Sequence, residues 1–195
     1  LTINSTTGVA GSESDIAFAS GGADKLTKIV VTGAAETEIA LANVALAMTI
    51  DASAATAALT TSGALIAGST IEGSTAADDI TLSTNNGSTY NGNAGDDAFT
   101  GSVAQLVASG SADTVISGGL GSDTLTISTT VPTLTDNHFT YVSGMEKMVT
   151  STGSTSITTG GAWNSAFADG VTITTGVIAT TESWAYTGGL YDQDT

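Results

Sequence analysis

The chain contains no cysteine, which excludes disulfide bridges and every chemistry that needs a thiol. It has one proline, Pro132, and three basic residues, Lys25, Lys28 and Lys147, against nineteen acidic ones, for a formal net charge of −16. Nucleic acids and anionic membrane surfaces are bound through basic patches, so this composition argues against both. The longest apolar stretch, 39–50, is too short to span a bilayer, and no membrane insertion is expected. Neither an initiating methionine nor a signal peptide stands at Leu1, so the chain is expected to be a mature or excised portion of a protein.

What is present points to β structure. Acidic chains poor in apolar residues tend to stay disordered, but 41 % of these 195 residues are hydrophobic and much of the polar remainder is Thr, Ser, Gly and Asn. Threonine, valine and isoleucine favour strands, and this length closes one core without splitting. The expectation is a single domain over 1–195, with N-terminal strands in 1–70, a central repeat region in 71–130, and C-terminal strands with an aromatic cap in 131–195. A compact chain this acidic repels itself, which bound cations would relieve.

The central region carries a repeated octet. Gly118-Gly119-Leu120-Gly121-Ser122-Asp123-Thr124-Leu125 follows the pattern G-G-x-G-x-D-x-U, where U is a large apolar residue. Gly92-Asn93-Ala94-Gly95-Asp96-Asp97-Ala98-Phe99 lacks only the second glycine. Weaker copies run from Gly73 through Asp78 to Ile80 and from Ser111 through Asp113 to Val115. Glycine permits a tight turn that gathers carbonyl oxygens. The aspartate adds a charged oxygen of the kind a hard cation such as Ca2+ takes six to eight of. The apolar residue two positions later points inward from a short strand. Asp78, Asp97, Asp113 and Asp123 lie 19, 16 and 10 residues apart. With a coil of about 18 residues, Asp78 and Asp97 fall on one side and Asp123 half a coil beyond Asp113. Two or three calcium sites are expected, from Asp78, Gly92, Asn93, Gly95, Asp97, Asp113, Gly118, Gly119, Gly121 and Asp123.

On these residues the chain resembles the repeats-in-toxin (RTX) calcium-binding β-roll family, and is closest in character to bacterial surface-layer and secreted surface proteins. Thr49-Ile50-Asp51-Ala52-Ser53-Ala54 with Thr56 to Thr60 is similar to a segment that leads into such repeats, and the stretch from Phe139 to Met148 resembles one that leaves them. The likeness covers roughly 46–150. It implies an all-β fold, a right-handed parallel β-solenoid with calcium-binding glycine-aspartate turns, and export to the cell exterior by type I secretion.

Outside the octets the signals are weaker. Gly22-Ala23-Asp24-Lys25-Leu26 reads as a turn before a strand or as a fifth aspartate ligand. Residues 36–59 are rich in alanine and admit a short helix, with Ile39, Val44, Leu46 and Ile50 at helical spacing, while Leu46, Met48 and Ile50 also alternate as in a strand; the resemblance around Thr49 to Ser53 implies strands, and strands are expected. The apolar insertion at 103–107 accounts for the irregular spacing to Asp113 as a bulge or one helical turn. His138, the sole histidine, is expected to pack; Asp136 and Glu146 are expected to be solvated, with completion of a last calcium site or a solenoid cap as the alternative. Trp163, Phe167, Trp184, Tyr186 and Tyr191 put aromatic area in the last third, either as a cap over the solenoid end or as a subunit contact. Asp192-Gln193-Asp194 forms an acidic tail.

Three functional readings follow. One is a structural protein whose copies assemble into a sheet or filament. The second is an adhesin segment or a calcium-binding module of a larger secreted protein, with cell-surface polysaccharide as a candidate partner. The third is an enzyme acting on sugars. The paired carboxylates, Asp78-Asp79 and Asp96-Asp97, fall inside the octets where ion binding explains them, and no nucleophile-histidine-acid set or phosphate loop stands in the chain. The structural, non-enzymatic reading is preferred.

Overall fold

The computed structural model describes residues 1–6, 14–18, 25–41, 44–106, 113–129, 133–150, 156–175 and 185–187. In chain order the strands are β1 Thr2–Ser5, β2 Ser14–Phe18, β3 Lys28–Gly33, β4 Thr37–Leu41, β5 Thr49–Ala55, β6 Leu59–Gly63, β7 Thr70–Glu72, β8 Asp79–Thr81, β9 Thr89–Ala94 and β10 Ala98–Gly101. After helix α1, Val103–Leu106, come β11 Val115–Leu120 and β12 Thr124–Ile127. A 3-10 turn at Asp136–Phe139 leads to β13 Val142–Ser143, β14 Lys147–Thr150, β15 Ser156–Thr158, helix α2 Gly161–Ala166, β16 Thr172–Thr175 and β17 Ala185–Thr187.

The strands form a parallel β-solenoid. Odd-numbered strands β1 to β13 stack into a seven-stranded sheet, and even-numbered strands β2 to β16 into an eight-stranded one, while β15 pairs with β17. Each coil therefore gives one strand to each face. Alternation turns every second side chain of a strand inward, and the parallel register stacks these residues, coil upon coil, into interior rows. In the first sheet one such row is Ile29, Ile50, Ile71, Tyr90, Ile116 and Val142; in the second it is Ile39, Thr61, Ile80, Phe99, Leu125 and Met148. All are buried, and each large apolar member contributes on the order of 1.5–3 kcal/mol.

The octets land where two of these rows require an apolar residue, at Phe99 and Leu125. Their first halves differ from expectation. Gly92 to Ala94 and Gly118 to Leu120 lie in β9 and β11, and only Gly95 to Asp97 and Gly121 to Asp123 turn the corner. Gly92 and Gly118 stand in strands paired in parallel with the neighbouring coils rather than in turns, and neither has a positive φ. Within 36–59 the described regular structure is strand, β4, β5 and the first residue of β6, yet Leu46 and Met48 lie outside it: Leu46 is 43 % exposed and β5 starts only at Thr49. The insertion after β10 contains one helical turn, α1, which seats Gln105: its Nε2 donates to the carbonyls of Leu82 and Ser83, and its Oε1 accepts from the Ser102 N–H. Among the described residues no helix is long and apolar enough to cross a membrane.

Helix α2 replaces the next coil of the first sheet. Met145 donates its N–H to the Ala166 carbonyl, and Phe139, Trp163 and Phe167 form a buried aromatic cluster, with Phe139 and Trp163 edge to face at 4.8 Å. These aromatics cap one sheet of the solenoid; Trp184 and Tyr191 lie outside the described residues. Asp136 is no solvated carboxylate: its oxygens accept the N–H groups of Ala162 and Trp163 at 3.2 and 2.8 Å, fixing the start of α2. His138 packs locally, its Nδ1 accepting the Thr135 N–H at 2.8 Å.

One interior polar group offers a direct test. Tyr90 is 1 % exposed and its hydroxyl accepts the Ser83 N–H at 2.9 Å. Tyr90→Phe leaves that N–H unpaired, and a loss of roughly 1–3 kcal/mol is expected in denaturant unfolding.

Candidate metal centre

Asp78, Asp97 and Asp123 precede the inward residues Ile80, Phe99 and Leu125 by two positions, and the same parity turns their carboxylates inward. They are 2 %, 1 % and 0 % exposed. At this corner the strand ladder stops, and a buried N–H needs another acceptor. The carboxylates provide it, one coil to the next. Asp78 Oδ1 accepts the Leu59 N–H at 2.6 Å, Asp97 Oδ1 accepts that of Asp78 at 2.8 Å, and Asp123 Oδ1 accepts that of Asp97 at 2.8 Å. Glu146 Oε2 accepts the Asp123 N–H at 2.8 Å and ends the series. Glu146 thus belongs to the column rather than standing in solvent. The steps are 19, 19, 26 and 23 residues, so the coils exceed the expected 18.

The second carboxylate oxygens differ among the rungs. Asp78 Oδ2 accepts the Ser74 N–H at 2.6 Å, and the Ser74 hydroxyl donates to Oδ1 at 2.7 Å. Asp97 Oδ2 and Asp123 Oδ2 are buried without a hydrogen-bond partner among the described residues. Each faces a glycine of its own coil. A Cβ on Gly92 would overlap Asp97 Oδ2 and the Gly118 carbonyl, and one on Gly118 would overlap Asp123 Oδ2 and the Gly144 carbonyl. Gly73 stands in the same relation to Asp78 Oδ2 and the Gly92 carbonyl, the latter 2.6 Å from where its Cβ would be. These three glycines are required by close approach. Gly95, Gly119 and Gly121 instead have φ of 128°, 110° and 141°, and Asn93 has φ of 73°, backbone that glycine and asparagine tolerate.

Burial dominates the electrostatics. It pushes Asp97 up to about 7, against the hydrogen bond from Asp78 and with added repulsion from Asp78, Asp123 and Asp96. Burial likewise raises Asp78, opposed by its bonds from Leu59 and Ser74, and Asp123, where Glu146 and Asp96 add repulsion.

Asp113 does not join this column. It lies at the opposite corner of the coil, where the Tyr141 hydroxyl hydrogen-bonds to it. Asp24 of the suggested fifth site is outside the described residues. Among the described residues no group of three or more His, Cys, Asp or Glu side chains gathers to hold a metal. The donor type nonetheless suits a hard cation: buried, unpaired carboxylate Oδ2 atoms of Asp97 and Asp123, with glycine carbonyls beside them. Ca2+ held here would draw on those two carboxylates and on backbone oxygens. The inward parity of the aspartates is readable from the octet itself, whereas the pairing of Ser74 with Asp78 and of Glu146 with Asp123 is not. The chain matches no family model, no curated protein and no solved structure.

Proposed function

We propose that this chain is a calcium-dependent structural protein of the bacterial cell exterior that assembles with copies of itself into a surface layer or extracellular filament. The observation that carries the reading is the solenoid's unfinished ends. β1 and β2 at one end and β16 at the other each have a strand partner on one side only among the described residues, and such edges template pairing with another chain. Calcium enters through the buried carboxylates of a chain with net charge −16. Ions that bind only the folded form add about 2.7 kcal/mol per site at a hundredfold excess over the dissociation constant. The chain would stay loose during export and fold on meeting external calcium.

A second reading, an RTX adhesin segment or calcium-binding module of a larger secreted protein, is favoured by α2, whose packing over β13 obstructs continuation of one sheet. Circular dichroism and electron microscopy on one sample, before and after chelation and calcium re-addition, separate the two. Strand signal and ordered assemblies that vanish and return together are the expected result. Refolding without assembly moves the module reading ahead, and indifference of both signals to calcium overturns the calcium dependence.

A further inference from the structure

The three aspartate rungs share a corner, a glycine and an inward carboxylate, yet among the described residues only Asp78 has both oxygens hydrogen-bonded. The difference lies in the residue after the column glycine. At Asp78 this is Ser74, whose N–H and hydroxyl both donate to the carboxylate; with the Leu59 N–H, Asp78 receives three donors. At Asp97 the equivalent residue is Asn93, and at Asp123 it is Gly119, both at positive φ. The Asn93 N–H goes instead to the Asn91 side chain at 3.3 Å, and the Asn93 side chain donates to the Gly73 carbonyl at 2.7 Å. Among the described residues nothing supplies to Oδ2 of Asp97 or Asp123 the donor that the Ser74 N–H supplies to Oδ2 of Asp78. Two carboxylate oxygens are left buried and unpaired, a costly state for an anionic group unless a positive charge joins it.

We infer that the residue following each column glycine decides where a divalent cation binds: Ser74 takes the cation's place at Asp78, while Asn93 and Gly119 leave Asp97 and Asp123 to be completed by calcium. Asp78, one of the expected ligands, is then a hydrogen-bonded rung that needs no ion. The inference rests on the calcium dependence proposed above, and goes beyond it in assigning which rungs use the ion and what makes them do so.

Calorimetric titration of the full chain with calcium chloride tests it through the number of ions bound. Asp97→Asn and Asp123→Asn should each remove one ion per chain, and Asp78→Asn none. Because a buried substitution can unfold the chain, two variants that keep every carboxylate complete the test. Asn93→Ser should lose one ion, because serine disfavours the positive φ of Asn93 and can then turn both its N–H and its hydroxyl to Asp97, and Ser74→Gly should gain one, because it removes the hydroxyl and lets residue 74 take the positive φ of Gly119, which turns the N–H away from Asp78 Oδ2. If the unaltered protein binds calcium but Asp78→Asn loses an ion, or if both Asn93→Ser and Ser74→Gly leave the number unchanged, the rung assignment is wrong and the calcium reading survives. If the unaltered protein binds none, both fall.

Discussion

Replacing Gly92 by alanine will destabilise the solenoid by about 3 kcal/mol or more, at or beyond the upper end of ordinary overpacking. Gly92 does not have a positive φ, so backbone strain is not the reason. The reason is contact: the new methyl would occupy the space of Asp97 Oδ2 and the Gly118 carbonyl. Asp97 is itself pinned by the Asp78 N–H, and Gly118 by its place in β11. Neither can retreat without breaking a link between coils. For a domain of this size such a loss lowers Tm by roughly 6–12 °C. Gly161→Ala is the matched control, since a Cβ there meets nothing within 4 Å and the residue begins α2; its Tm should hold or rise slightly. Equal melting of Gly92→Ala and the parent would show that the coils are not packed through this column.

In calcium-stripped buffer the protein will lose stability as the pH rises from about 4 to about 8. Asp97 titrates near 7 in the folded chain against an ordinary value of 3.8. Between those values the folded form keeps a proton that the unfolded form has released, so raising the pH favours unfolding. The full effect is reached once the pH passes the folded value, and a shift of this size corresponds to a ceiling of about 4 kcal/mol. Asp78 and Asp123, both raised by burial, act in the same direction. Asp51 acts oppositely, its pKa lowered by hydrogen bonds from Ser53 and Lys28, but it is partly exposed and solvent weakens its contribution. Urea unfolding at pH 5 and pH 8 should therefore give the higher midpoint at pH 5, and saturating calcium should narrow the gap. Higher stability at pH 8 without calcium would mean that the carboxylates are charged and satisfied by some other means.

The solenoid itself was legible because each coil repeats a local rule. Phe99 and Leu125 announce inward positions by following an aspartate at a fixed distance, and Asp78 and Asp97 show the coil length by their separation. The glycine pairs misled, because G-G reads locally as a turn. In the folded chain, Gly118 stands in a strand paired with neighbouring coils and is small because a carboxylate rests on it. Glu146 and Asp136 were misjudged for a related reason. Their partners, the Asp123 N–H and the first turn of α2, lie more than twenty residues away in sequence, beyond the reach of any local pattern. Ser74 carried no signal at all, since a serine after a glycine is unremarkable until the aspartate beside it is placed.

The two corners of a coil have grown very differently. The carboxylate corners occupy 73–78, 95–97 and 121–123, whereas the opposite connections take up 64–69, 82–88, 102–114 and 128–141, so the difference opens in the later coils. Doubling the length of a connection costs only about 0.6 kcal/mol in closure entropy, so added chain is cheap on that side provided the column opposite stays in step. The molecule is in effect a spine with a variable margin. A foreign peptide grafted between β10 and β11 would leave the carboxylate column in step provided α1 is kept, because Gln105 ties that turn to the Leu82 and Ser83 carbonyls.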